Sequence, residues 1–232
     1  MKTLIPVLAI LALSLTSCDF GVVGNGNVEV RDENIKNFSR LEIKGNFDVY
    51  LTQERTSSLR IEADENLQDI IHVFQDGNKL KIVATENILR AKKKNLFISF
   101  SDLAKLDLTG ALDIRGETTV EVKSLAIICN GAVDLSLDLD TDKLRLDVSG
   151  AANCDLEGRA DDVNLELSGA GDFNAIDLRS EIMSIELSGA AHARVFATDE
   201  LHVEISGVGS IRYKGDPEIR KSISGIGSLK KY

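Results

Sequence analysis

Apolar and polar residues alternate with period two through most of this chain, and one phrase punctuates the alternation at near-regular intervals. Leu106-Asp107-Leu108-Thr109-Gly110-Ala111 returns at Leu146 to Ala151, Leu165 to Ala170, Ile185 to Ala190 and Val203 to Val208. A degenerate copy occupies Ile127 to Ala132, and a partial one closes at Ile223-Ser224-Gly225-Ile226. The anchoring glycines, Gly110, Gly131, Gly150, Gly169, Gly189, Gly207 and Gly225, are 21, 19, 19, 20, 18 and 18 residues apart. Two positions before them stand Leu108, Cys129, Val148, Leu167, Leu187, Ile205 and Ile223; four after stand Ile114, Leu135, Cys154, Phe173, Ala193, Ile211 and Leu229. Two inward-facing strand segments joined at a glycine corner cannot bury their apolar face alone, so neighbouring units must stack at about 4.8 Å. The pattern predicts an all-β fold, a single-stranded parallel β-helix (β-solenoid) with coils of 18–21 residues. The glycine answers a corner that needs positive φ or no Cβ.

An antiparallel sandwich or up-and-down barrel is the competing fold. Hairpins vary their turns, whereas here every unit carries the same turn in the same phase, which favours the solenoid. Upstream, Leu41 to Leu51 fits the same frame with Gly45 at the corner, and further strands are expected at Leu59 to Ala63, Lys79 to Ala84 and Leu96 to Phe100. Between them Leu67, Ile70, Ile71 and Phe74 fall at helical spacing, with Asp64 as N-cap and Gly77 just past the end. One short helix is expected there, covering an open edge. Lys230, Lys231 and Tyr232 put charge and bulk on the last strand, which discourages end-to-end stacking, and no membrane barrel is expected after it.

The N-terminus carries an address. Residues 1–17 combine Lys2, an apolar run from Leu4 to Leu15 and small residues before Cys18, the layout of an export signal. The run is shorter than the about 20 apolar residues a spanning helix needs. Leu15-Thr16-Ser17-Cys18 resembles the lipobox of bacterial lipoproteins, which implies cleavage before Cys18 and acylation of that residue. The expected organisation is therefore a signal over 1–17, a lipidated Cys18 and flexible glycine-rich tether over 18–27, and one solenoid domain over 28–232. Several acyl chains at about 0.8 kcal/mol per methylene hold a protein stably on a membrane. The expected place is the cell envelope, on the outer membrane, with the side it faces left open.

Composition narrows the chemistry. With 37 Asp plus Glu against 27 Lys plus Arg the net charge is −10, which offers no footprint for phosphate backbones, so nucleic acid is excluded as a partner. There is no Trp and only 5% aromatic residues, which weakens any sugar-stacking platform. The outward position three before the glycine reads Asp147, Glu166, Glu186 and Glu204 in four consecutive coils. Like charges about 5 Å apart repel by roughly 0.8 kcal/mol in water. Calcium wants six to eight oxygens from a curved cage, which a straight ladder does not supply; Arg145, His202 and Arg220 are the expected neutralising neighbours. Three after the glycine stand Asp113, Asp134, Asn153, Asp172, His192, Ser210 and Ser228, and just before it mostly Ser or Thr, groups that satisfy a turn's own backbone. Asp147, Glu166, Glu186, Glu204, Asp172 and His192 are the candidate surface face.

No catalytic or metal constellation is selected. His72, His192 and His202 lack zinc spacing, no pair of acids stands out for glycoside hydrolysis, and coils this short leave no loop to wall a cleft. The Gly-x-Gly pairs open no helix and are turn glycines. Cys129 and Cys154 lie on opposite sides of the corner, where a disulfide is geometrically awkward, so buried free thiols are expected. Lys92-Lys93-Lys94 reads as an exposed turn shielding the apolar strand after it. No cofactor is implied.

The segment Phe38 to Gln53, the run Leu59 to Leu67, the Ser-Gly-Ala/Val/Ile corners and the closing Ser224-Gly225-Ile226-Gly227-Ser228, together with the Cys18 lipobox, resemble the putative autotransporter adhesin, head GIN domain family over residues 28–232. The resemblance implies a β-helical envelope lipoprotein and brings no catalytic residues with it. Two functions follow as expectations: a non-enzymatic, lipid-anchored module whose side face binds a protein or glycan partner, or a carbohydrate-active or lipid-binding envelope protein. Oligomeric state is left open.

Overall fold

The computed structural model describes residues 21–232; the export segment and Cys18 lie outside the described residues. Strands dominate, and no described helix is long and apolar enough to cross a membrane. The N-terminal part holds β1 (Val22–Val23), β2 (Val28–Glu33), β3 (Arg40–Gln53), β4 (Ser58–Asp64), α1 (Glu65–Gln68), β5 (Ile71–Asp76), β6 (Lys79–Ala84), β7 (Ile88–Arg90) and β8 (Lys94–Phe100). The repeating part holds β9 (Lys105–Gly116), β10 (Val120–Val148), β11 (Ala151–Leu167), β12 (Ala170–Leu187), β13 (Ala190–Ile205), β14 (Val208–Lys214), β15 (Glu218–Ile223) and β16 (Ile226–Lys231).

From β3 through β9 to β16 every coil pairs with the next in parallel, forming a β-solenoid of about six turns. Parallel pairing throughout the repeats excludes the sandwich and the barrel built from hairpins. The corner stays in register: Gly45 faces Gly110, Gly110 faces Gly131, and Ala132, Ala151, Ala170, Ala190, Val208 and Ile226 follow one another coil by coil. The variation in coil length is absorbed at the opposite bend, where register slips at Asp155/Glu157, Ala175/Arg179 and Ser180/Ile182. The inward columns form the core: Leu106, Ile127, Leu146, Leu165, Ile185 and Val203 are all at most 1% exposed.

The corner glycine answers mainly to close approach. A Cβ on Gly169 would lie 1.8 Å from the Gly150 carbonyl oxygen, and one on Gly189 would lie 1.8 Å from that of Gly169. Each carbonyl in this column fills the space a side chain would need on the next coil, and there it accepts the following amide, as Ala170 N–H to Gly150 O at 2.9 Å. Among the corner glycines, positive φ occurs at the early ones, Gly45, Gly110 and Gly131.

The N-terminal part departs from the sequence-based expectation in two places. The helix expected from Leu67 to Phe74 is a single turn, Glu65–Gln68, followed by the hairpin of β5 and β6. Leu67, Ile70 and Ile71 are buried as a helical face requires, but Phe74 is 57% exposed. The β-branched Ile71 and Val73 alternate as a strand instead, and Gly77 opens the two-residue turn at φ +55°, which suits the first central position of a type II′ hairpin. Asp64 likewise puts no side-chain bond on α1. The second departure concerns the tether. Residues 21–27 are seated, with β1 paired to β7, Gly24 N–H on Arg90 O at 2.7 Å, and Asn25 N–H on Asn66 Oδ1 at 2.8 Å. Residues 21–27, expected as tether, are thus packed against the folded part.

Asp64 is the clasp of this region. Fully inaccessible, it accepts the amides of Gly26 (3.0 Å), Lys92 (3.1 Å) and Lys93 (3.0 Å). Burial alone would raise its pKa, but these three N–H groups and the Lys92 charge outweigh it and hold the carboxyl below its ordinary value.

Candidate functional site

Two outward faces flank the glycine corner, because the chain alternates in and out on both legs of each coil. On the leg before the corner, register brings Asp147 opposite Glu166, Glu166 opposite Glu186 and Glu186 opposite Glu204. The four candidate acids thus form one ladder at the inter-strand spacing of about 4.8 Å. With Ser149, Ser168 and Ser188 the first three line a shallow groove of about 270 Å³. Arg145 bridges Asp147 (3.1 Å) and Glu166 (2.8 Å) across the coil step. Of the other expected neutralisers, Arg220 pairs with Glu218 at 3.3 Å, and among the described residues no ion pair reaches Glu186 or Glu204.

On the leg after the corner lies a second, open groove of about 500 Å³. Its floor is the in-register alanine column Ala111, Ala132, Ala151 and Ala170, and its wall is Asp48, Asp113, Asp134 and Asn153. Asn46 and Lys94 close one end, with Lys94 Nζ on Asp48 (2.7 Å) and Asn46 (2.9 Å). At the other end the floor column continues in register through Ala190 to the larger, exposed Val208 and Ile226. The wall acids are themselves engaged, Asp113 by Arg115 at 2.7 Å and Asp134 by the Asn153 amide at 2.8 Å.

The candidates Asp172 and His192 belong to this second wall, in register on adjacent coils, and are not brought together with the acid ladder. His192 Nδ1 lies 2.9 Å from Ser210 Oγ in the next coil, which puts Asp, His and Ser in one column. No hydrogen bond joins Asp172 to the imidazole, so the ring lacks the orienting carboxylate a nucleophilic triad requires. Among the described residues no three His, Cys, Asp or Glu side chains converge as metal ligands would. Cys129 and Cys154 are buried free thiols. Burial pushes the Cys129 thiol up to about 12 and raises Cys154 as well, so neither is a nucleophile at neutral pH.

Reading by column found the acid ladder but missed the alanine floor, although alanine recurs in the repeated phrase itself. Lys94, expected in an exposed basic turn, instead opens β8 and turns its ammonium onto Asp48 and Asn46; neither it nor Asn46 is marked by the repeat, since they reach the groove through the non-repeating part.

The chain shares its fold with solved structures named as putative adhesins and a putative lipid binding protein. A crystal structure of a putative adhesin from Bacteroides fragilis superposes with a TM-score of 0.85 at 26% identity, covering 91% of this chain and 100% of the other. A putative lipid binding protein (24% identity, TM-score 0.74) and a putative adhesin (21%, 0.66), both from Parabacteroides distasonis, each cover 91% of this chain and 99% of their own and share the fold. No curated protein matches. The family model described as "putative auto-transporter adhesin, head GIN domain" matches residues 37–217, from the strand before the Gly45 corner to the last full coil, and the chain belongs to that family.

Proposed function

We propose that this protein is a non-enzymatic binding module of the cell envelope, exported and held on the outer membrane by lipid on Cys18, which recognises another macromolecule along its corner grooves. The observation that carries the reading is the groove beside the glycine corner: a straight, alanine-floored channel crossing several coils, open along its length and walled by polar side chains already paired with one another. Such a surface suits an extended partner rather than a small substrate held away from water. Family membership and the adhesin name of the Bacteroides fragilis relative support the same class. The void beside Cys154 and Phe173 measures about 10 Å³, room for one water and not for an acyl chain, so the lipid-binding alternative would have to use an open surface groove rather than this site.

The test has two arms. Cys18→Ser is expected to abolish incorporation of labelled fatty acid and to move the protein out of the membrane fraction; unchanged labelling would remove the anchor from the proposal. Ala132→Gln and Ala151→Gln, which fill the channel floor, are expected to abolish capture of partners from envelope and host-surface extracts while leaving the fold intact. Retained capture by a folded variant would exclude the groove.

A further inference from the structure

Charge is segregated along the solenoid. Residues 101–211 hold 8 Lys plus Arg against 22 Asp plus Glu, whereas residues 212–232 hold 6 against 2. The basic stretch is the last coil described, and among the described residues it is an open edge: β15 pairs only with β13, and β16 only with β14. One side of each strand therefore presents free backbone N–H and C=O groups. Apolar side chains that earlier coils bury are bare here, with Ile219 37% and Ile223 38% exposed. Lys221 stands in the inward column occupied by Val203 one coil before, putting an ammonium at the mouth of the core.

The internal repeat shows what fits this edge. Arg145, five residues before its corner glycine, reaches across one coil step to Glu166, three residues before the next glycine, at 2.8 Å. Arg220 is the same position of the last coil described, and among the described residues no glutamate stands across the next coil step from it. We infer that the β15 edge is a docking site for an extended, acidic polypeptide segment of a partner, added as one more parallel strand, with a carboxylate beside Arg220 and alternate apolar side chains over Ile219 and Ile223. Free backbone groups favour a strand over a lipid surface, because a strand pairs them. Lys231 is paired with Asp216, while the Lys221 charge opposes tail-to-tail pairing of two copies and admits an acidic chain. The inference names a partner class for the binding module proposed above but uses a different surface.

The probe is a synthetic peptide with the sequence of residues 181–188, Glu-Ile-Met-Ser-Ile-Glu-Leu-Ser, at millimolar concentration, on the chain lacking its first 20 residues. Hydrogen exchange of the Glu218–Ile223 amides is expected to slow roughly tenfold. Arg220→Glu should remove this protection, and a peptide with Lys in place of its second Glu should fail on the native chain but protect the Arg220→Glu variant. Ala151→Gln should leave the protection untouched, so failure of the groove reading and failure of this one are separable. Unchanged exchange with every peptide would overturn the inference, as would equal protection by the acidic and lysine peptides. Protection by phosphatidylglycerol vesicles alone would reassign the edge to lipid, and concentration-dependent protection without peptide would reassign it to a second copy.

Discussion

The N-terminal cap and the repeating body use the same glycine corner, yet they treat charge in opposite ways. In residues 21–100, 12 Lys plus Arg balance 12 Asp plus Glu, while residues 101–211 carry nearly three acids for each base. Glu42 occupies the cap's rung of the acid ladder and is held by Lys79 and by Lys81 (2.8 Å), whose hydrogen bonds pull its pKa below the ordinary value. Glu186, the equivalent residue deep in the body, has no such partner among the described residues. A stack of near-identical coils places like beside like, so whatever charge the repeat carries is multiplied. The cap mixes parallel and antiparallel strands of unrelated sequence and can set opposite charges together.

The sharpest break in this comparison is at glycine. Gly169→Ala drives a Cβ into the Gly150 backbone, which cannot give way as a flexible side chain would, and is expected to cost more than about 4 kcal/mol and to split the urea transition of the body from that of the cap. Gly77→Ala in the cap meets nothing within 4 Å and pays only for its positive φ, about 1 kcal/mol. Equal effects would mean that close approach does not govern the corner.

Next in size is the cap's clasp. Asp64→Ala orphans three buried amides and should cost roughly 3 kcal/mol. Hydrogen exchange should rise first at residues 24–27 and 90–93 while the body stays protected. Because the folded pKa is depressed, the clasp's contribution is present above the unfolded value of 3.8 and is lost as pH falls through the lower folded value.

The thiols distinguish the body at the other end of the pH scale. The unfolded thiol ionises near 9, whereas the native Cys129 thiol keeps its proton to about 12. Between those values the unfolded state binds fewer protons, so stability falls as pH rises, by roughly 1.4 kcal/mol per thiol per pH unit. Cys129→Ala with Cys154→Ala should flatten that slope in denaturant titrations between neutral and alkaline pH. The smallest effect is expected at the ladder: Arg145→Ala should cost at most about 1 kcal/mol, since its ion pairs are half exposed, and the loss should shrink in high salt.

Much of the body was legible because its information is periodic. The inward columns, the corner and the carboxylate ladder all follow from one offset counted from glycine, and stacking preserves that offset from coil to coil. The cap was less legible because its contacts join residues without a shared period. Leu67, Ile70 and Ile71 satisfy helical spacing and are all buried, but the pattern pools one helical turn with the first residue of a hairpin strand. Asp19 to Asn27 reads as flexible from its glycines, yet Gly24 leaves room for the Asp64 carboxylate, whose Oδ2 would lie 2.1 Å from a Cβ there. The candidate face was half legible: the ladder appeared as a column, while the groove on the other leg needed the alanine floor and the lysine at its end to be seen together.

The amino-acid sequence by itself determined the strand alternation, the coil length and the identity of the corner, because each is written in local spacing. Tertiary structure alone decided that the cap seats residues 21–27, that Lys94 closes a groove floored by alanines, and that Arg220 stands on a strand with one side unpaired among the described residues. Those features depend on which non-repeating segments meet, and packing between residues tens of positions apart settles that, not the period.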